Sequence, residues 1–79
     1  MNTHQPQDRL AAVEAEIPRV ESSLAETEQA LAVYVSTEET QRLSAELITL
    51  RELQASLNRE WEKLATELEG QLESQGAAG

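Results

Sequence analysis

Between Leu10 and Tyr34 the apolar positions return at alternating steps of three and four. They are Leu10, Val13, Ile17, Val20, Leu24, Leu31 and Tyr34, with Thr27 as the one polar member. This heptad spacing predicts a helix with a positions at 10, 17, 24 and 31 and d positions at 13, 20, 27 and 34. Pro18 falls inside the repeat. In a helix interior proline removes a hydrogen bond and crowds the preceding turn, at a cost of about 3 kcal/mol. The phase runs unbroken across it, so a kinked but continuous helix is expected.

After Tyr34 that phase is lost. A second seam runs Leu43, Leu47, Leu50, Gln54, Leu57, Trp61, Leu64 and Leu68. Its offset from the first matches neither of the insertions that a continuous coiled coil absorbs, so two helices are expected in place of one. Ser36 followed three residues later by Glu39 is the capping-box pattern of a helix start. Glu38 and Glu39 suit the positive end of the helix dipole, and Glu38 with Arg42 forms a supportive i,i+4 pair. The expected fold is all-α, a two-helix antiparallel coiled-coil hairpin over residues 8–73. Helix 1 is placed at about 8–34, the turn at about 35–37 and helix 2 at about 37–73. Residues 1–7, with Pro6, and 74–79, ending Gly-Ala-Ala-Gly, read as disordered tails.

Folding one seam on the other gives a register. Leu31 faces Leu43, Leu24 faces Leu50, Ile17 faces Leu57 and Leu10 faces Leu64. Between these layers Thr27 meets Leu47, Val20 meets Gln54 and Val13 meets Trp61. A one-heptad slip leaves an overhang that a three-residue turn, reaching about 10 Å, is too short to bridge. Trp61 is expected to fill its layer with Val13, and as an interface anchor it would be a hot spot. Ile48 and Leu53 lie beside the second seam, and Leu68 and Leu72 run past the start of helix 1. They read as core edge or as a docking or self-association face.

Composition narrows the chemistry. Seventy-nine residues make one small domain, and without Phe its core is a thin aliphatic seam, marginal for a monomer. The net charge of −9 repels nucleic-acid backbones and anionic membrane surfaces, and a basic partner surface is its natural complement. There is no cysteine, hence no disulfide or thiolate site. The N-terminal Met-Asn-Thr-His-Gln-Pro-Gln carries no signal-peptide pattern and no run is long enough to span a bilayer, so a cytoplasmic location is expected. His4 is the single histidine, and a metal site needs several ligands. Glu60, Glu62, Glu67, Glu69 and Glu73 have no enclosed cleft to work across, so they read as a solvated face. The serines lack a histidine base. No catalytic residue, cofactor, metal or small-molecule substrate is expected. Arg42, Arg51, Arg59 and Lys63 recur along helix 2, either pairing with glutamates (Arg42 with Glu46, Lys63 with Glu67) or forming a strip for RNA.

The stretch from Tyr34 to Leu68 resembles the C-terminal coiled-coil domain of ABC-F ATP-binding cassette proteins. The residues carrying the resemblance are Tyr34, the run Glu38 to Leu47, then Leu50, Leu57 and the Trp61-Glu-Lys-Leu64 signature. Val13-Glu-Ala-Glu-Ile17 is similar to a repeat of the family's first helix. The resemblance implies an antiparallel hairpin that assists contacts with ribosomes or DNA, here read as free-standing. ATP hydrolysis does not carry over, because no Gly-x-x-x-x-Gly-Lys-[Ser/Thr] loop occurs.

The functional expectation is a non-catalytic protein-interaction module whose partner is an ATP-binding cassette or ribosome-associated protein. Its structural and interface candidates are Tyr34, Ser36, Glu39, Ile48, Leu53, Trp61, Leu68 and Leu72. The alternatives are a self-assembling coiled coil, with two hairpins forming a dimeric four-helix bundle, and an RNA- or ribosome-associated accessory protein. Net charge weighs against nucleic acid.

Overall fold

The computed structural model describes residues 5–78, with side chains from Gln7 to Leu72. Two helices, α1 (Gln5–Leu31) and α2 (Thr37–Ala78), fold back on each other as an antiparallel hairpin. The rod measures 64 × 22 × 14 Å. Its long dimension is the length of α2, since 42 residues rise about 63 Å.

The seam forms the core. Val13, Val20, Leu24, Leu57 and Leu64 make one buried cluster, with Leu10, Ile17, Leu47 and Leu50 packed against it. Leu43 is also buried. Val13 is the most enclosed, at 1 % exposure. Thr27 is buried at a d position without leaving an orphan polar group. Its Oγ1 donates to the Ser23 carbonyl at 2.8 Å, the one-turn-back bond open to a helical threonine.

Three cross-helix pairs locate the register. Arg9 donates to Glu60 through two nitrogens, at 2.5 and 2.7 Å. The Trp61 indole N–H donates to Glu14 Oε2 at 3.2 Å. Arg51 lies 3.7 Å from Glu28. Together they straddle the pairing of Leu24 with Leu50 and of Ile17 with Leu57. A one-heptad slip would carry Arg9 roughly 18 Å along the axis from Glu60, beyond the reach of the two side chains. Arg9 and Glu60 occupy g positions, and Glu28 and Arg51 e positions. Flanking charges of opposite sign at such positions favour this helix orientation.

Pro18 does not divide α1, which is one helix from Gln5 to Leu31. The proline sits at an exposed position. Glu14, whose carbonyl loses its donor to the proline ring, is exposed as well. Water can therefore replace the missing bond.

The boundaries differ from those expected. α1 ends at Leu31, and the connection occupies residues 32–36 in place of 35–37. Tyr34 is thus outside the helix and out of the seam. The Ala32 N–H is shared between the Glu28 and Gln29 carbonyls and the Val33 N–H reaches Ala30, so the last turn tightens. Among the described residues none adopts positive φ, so the helix stops without a left-handed cap. Val33 and Val35 are β-branched and Tyr34 aromatic, and such residues favour extended backbone over helix.

Helix also extends into the expected tails. Gln5–Gln7 belong to α1, where Pro6 stands in the first turn, a position that tolerates proline. Residues 74–78 belong to α2, for which Ala77 and Ala78 are strong formers. The remainder of the expected tails, residues 1–4 with His4 and residue 79, lies outside the described residues.

Candidate functional site

The hairpin tip is built by two helix ends. On the α2 side Ser36 is the N-cap: its Oγ accepts the Glu39 N–H at 3.1 Å, and its carbonyl accepts the Thr40 N–H at 3.0 Å. The reciprocal half of the capping box is replaced. The Glu39 carboxylate turns to Arg42, which also reaches Glu46 at 3.4 Å. The expected Glu38–Arg42 pair gives way to this arrangement, because Arg42 takes neighbours one turn before and one turn after it. The hydrogen bond from Arg42 holds the Glu39 carboxyl below the usual glutamate value and raises the guanidinium in turn.

Ser36 and Glu39 therefore shape the tip, and the exposed apolar residues lie just before them. Val33, Tyr34 and Val35 are 65 %, 72 % and 72 % exposed. Tyr34 Oη lies 3.3 Å from Thr37 Oγ1, which ties the ring to the start of α2 while leaving its face to solvent. Val33 and Val35 were not among the candidates read from the sequence. The signal was present: three adjacent apolar residues cannot all point into one two-helix seam.

The other candidates do not converge. Ile48, Leu53 and Leu72 are exposed. At about 100° per residue they point roughly 100–140° apart around α2. Ile48 and Leu72 are also some 36 Å apart along the axis. No flat face holds all three. Leu68 is half-buried and, with Gln7, Gln71 and Leu72, lines a shallow open notch of about 190 Å³ where α1 begins. Trp61 packs partly into the seam and is 38 % exposed. Its N–H is satisfied by Glu14, so it presents an apolar edge at the open half of the rod.

Charge is distributed unevenly. Around the tip, Glu26, Glu28, Glu38, Glu39 and Glu46 stand against Arg42, with Arg51 beside Glu28. Arg42 and Arg51 are engaged by glutamates of this chain, which takes two of the four α2 cations out of any strip for phosphate. Toward the open end, the Arg9 hydrogen bonds depress the Glu60 carboxyl below the usual glutamate value.

Among the described residues no group of three or more His, Cys, Asp or Glu side chains could hold a metal ion. No described helix is long and apolar enough to cross a membrane. The fold and its exposed features define an all-α helical hairpin with an apolar tip. No protein-family model, no curated protein and no solved structure matches the chain.

Proposed function

We propose that the hairpin is a non-catalytic protein-interaction module that presents its tip to a partner. The observation that carries this reading is the exposed Val33–Tyr34–Val35 triplet at the end of a 64 Å rod. Two valines and a tyrosine at those exposures leave a few hundred Å² in one place, roughly the scale of functional patches on monomers. The resemblance of residues 34–68 to the ABC-F C-terminal domain narrows the partner to an ATP-binding cassette or ribosome-associated protein.

The test is affinity capture from the source cells with the parent chain, a Val33→Ser/Val35→Ser variant and an Ile48→Glu variant, each shown to be helical by circular dichroism. A partner retained by the parent and by Ile48→Glu but lost with the tip variant supports the reading. A parent chain that retains nothing refutes it. Self-assembly through Ile48, Leu53 and Leu72 is disfavoured because they point in three directions. Sedimentation equilibrium checks this, with a monomer expected.

A further inference from the structure

We infer that the hairpin tip seats in an apolar pocket rimmed by lysine or arginine on its protein partner, in a transient and salt-sensitive complex. This rests on the tip being the docking element and adds the chemistry of what receives it. The tip joins two features that no other part of the described surface combines. One is the run of three adjacent exposed apolar side chains. The other is a collar of five carboxylates, Glu26, Glu28, Glu38, Glu39 and Glu46, against two guanidiniums, Arg42 and the Arg51 that lies beside Glu28. The open end is also acidic, through Glu67 and Glu69, but its apolar content is Leu72 beside a half-buried Leu68.

The collar selects the occupant. A partner pocket that brings carboxylates to its rim against the tip meets like charge, which costs affinity and slows encounter, whereas a basic rim steers it. RNA and anionic lipid surfaces are repelled by the same field. A second copy of this chain is a poor occupant. Of its six cations, Arg9, Arg19, Arg42 and Arg51 lie against glutamates of its own chain, Arg59 and Lys63 are interspersed with Glu60 and Glu62, and tip-to-tip contact sets collar against collar. Patch size sets the strength: a few hundred Å² of tip falls below the roughly 800 Å² per partner of a standard interface, so the complex is of the weak, exchanging kind.

The test places a photoreactive p-benzoylphenylalanine at position 34, with position 48 as control, in the full chain expressed in its source cells. Cross-linked peptides are sequenced, and the complex with the purified partner is measured at about 50 and 300 mM salt. The expected result is a cross-link from position 34 to a protein segment with apolar residues beside Lys or Arg, and an affinity that falls about fivefold over that range. A cross-link from 34 to a neutral or acidic segment, to nucleic acid or to a second copy overturns the inference, as does a salt-independent affinity. If capture by the parent chain retains a partner but position 34 gives no cross-link, the inference fails and the interaction reading stands. If capture is also empty, both fail.

Discussion

Truncating Leu57 to alanine tests whether the seam alone holds this protein together. Leu57 is 7 % exposed and packs in the cluster with Val13, Val20, Leu24 and Leu64. Leu→Ala at buried sites costs about 2–5 kcal/mol, the larger values where the cavity cannot collapse. A two-helix seam has solvent on both flanks and can close or hydrate the gap, so about 3 kcal/mol is expected. For a chain of 79 residues with so few buried side chains, the total is near the low end for globular domains, about 4 kcal/mol. Leu57→Ala then leaves roughly 1 kcal/mol, a drop in the folded-to-unfolded ratio from about 900 to about 5. With an unfolding entropy of roughly 0.17 kcal/mol/K for this length, the midpoint falls by about 18 °C. The assay is far-ultraviolet circular dichroism during heating, with Leu72→Ala as control. Leu72 is 67 % exposed, and its truncation should cost under about 0.5 kcal/mol, or about 3 °C. A Leu57→Ala shift under about 5 °C, or one equal to that of the control, would refute the assignment of stability to the seam.

Four further outcomes follow from the same geometry. Pro18→Ala should stabilise α1 by about 2 kcal/mol, the helix penalty of proline less its restriction of the unfolded chain; an unchanged melting midpoint would show that the helix does not bear that penalty. Ser36→Ala removes the acceptor of the Glu39 amide and should cost about 1 kcal/mol, recovered by Ser36→Asp, with faster hydrogen exchange at Glu39 as a local readout. Glu60 has a folded pKa below its reference of 4.5, so its pairing with Arg9 contributes stability that is present above that value and is lost as pH falls through the depressed folded pKa. The stability gap between parent and Arg9→Gln should therefore be widest near neutral pH and close in acid, and a gap constant with pH would contradict the pairing. Finally, cysteines at Leu24 and Leu50 should oxidise to an intramolecular disulfide, while cysteines at Leu24 and Leu57 should not. The reverse result would establish the slipped register.

Both helices, the seam, the phase break and the Ser36 cap were legible in the linear chain. Each depends on spacings of three to seven residues, and helix geometry turns such spacings into faces whatever else the chain does. The pairing of Leu24 with Leu50 followed from matching two such faces across a short turn. Other features depend on distances through space. Tyr34 continues the heptad pattern, yet chain reversal takes residues 32–36 and puts Tyr34 at the exposed tip with Val33 and Val35. Glu39 matched a capping box, but Arg42 competes for its carboxylate from one turn away and takes it. Trp61 has the phase of a core residue, and its exposed edge follows from how much of an indole a single neighbouring helix can cover. The pairs Arg9–Glu60, Glu14–Trp61 and Glu28–Arg51 join residues far apart in sequence and exist only once the register is set. Periodicity decided which residues face inward. How completely they are covered, and which charges meet, was decided by the packing of two helices that leave much of each other open to water.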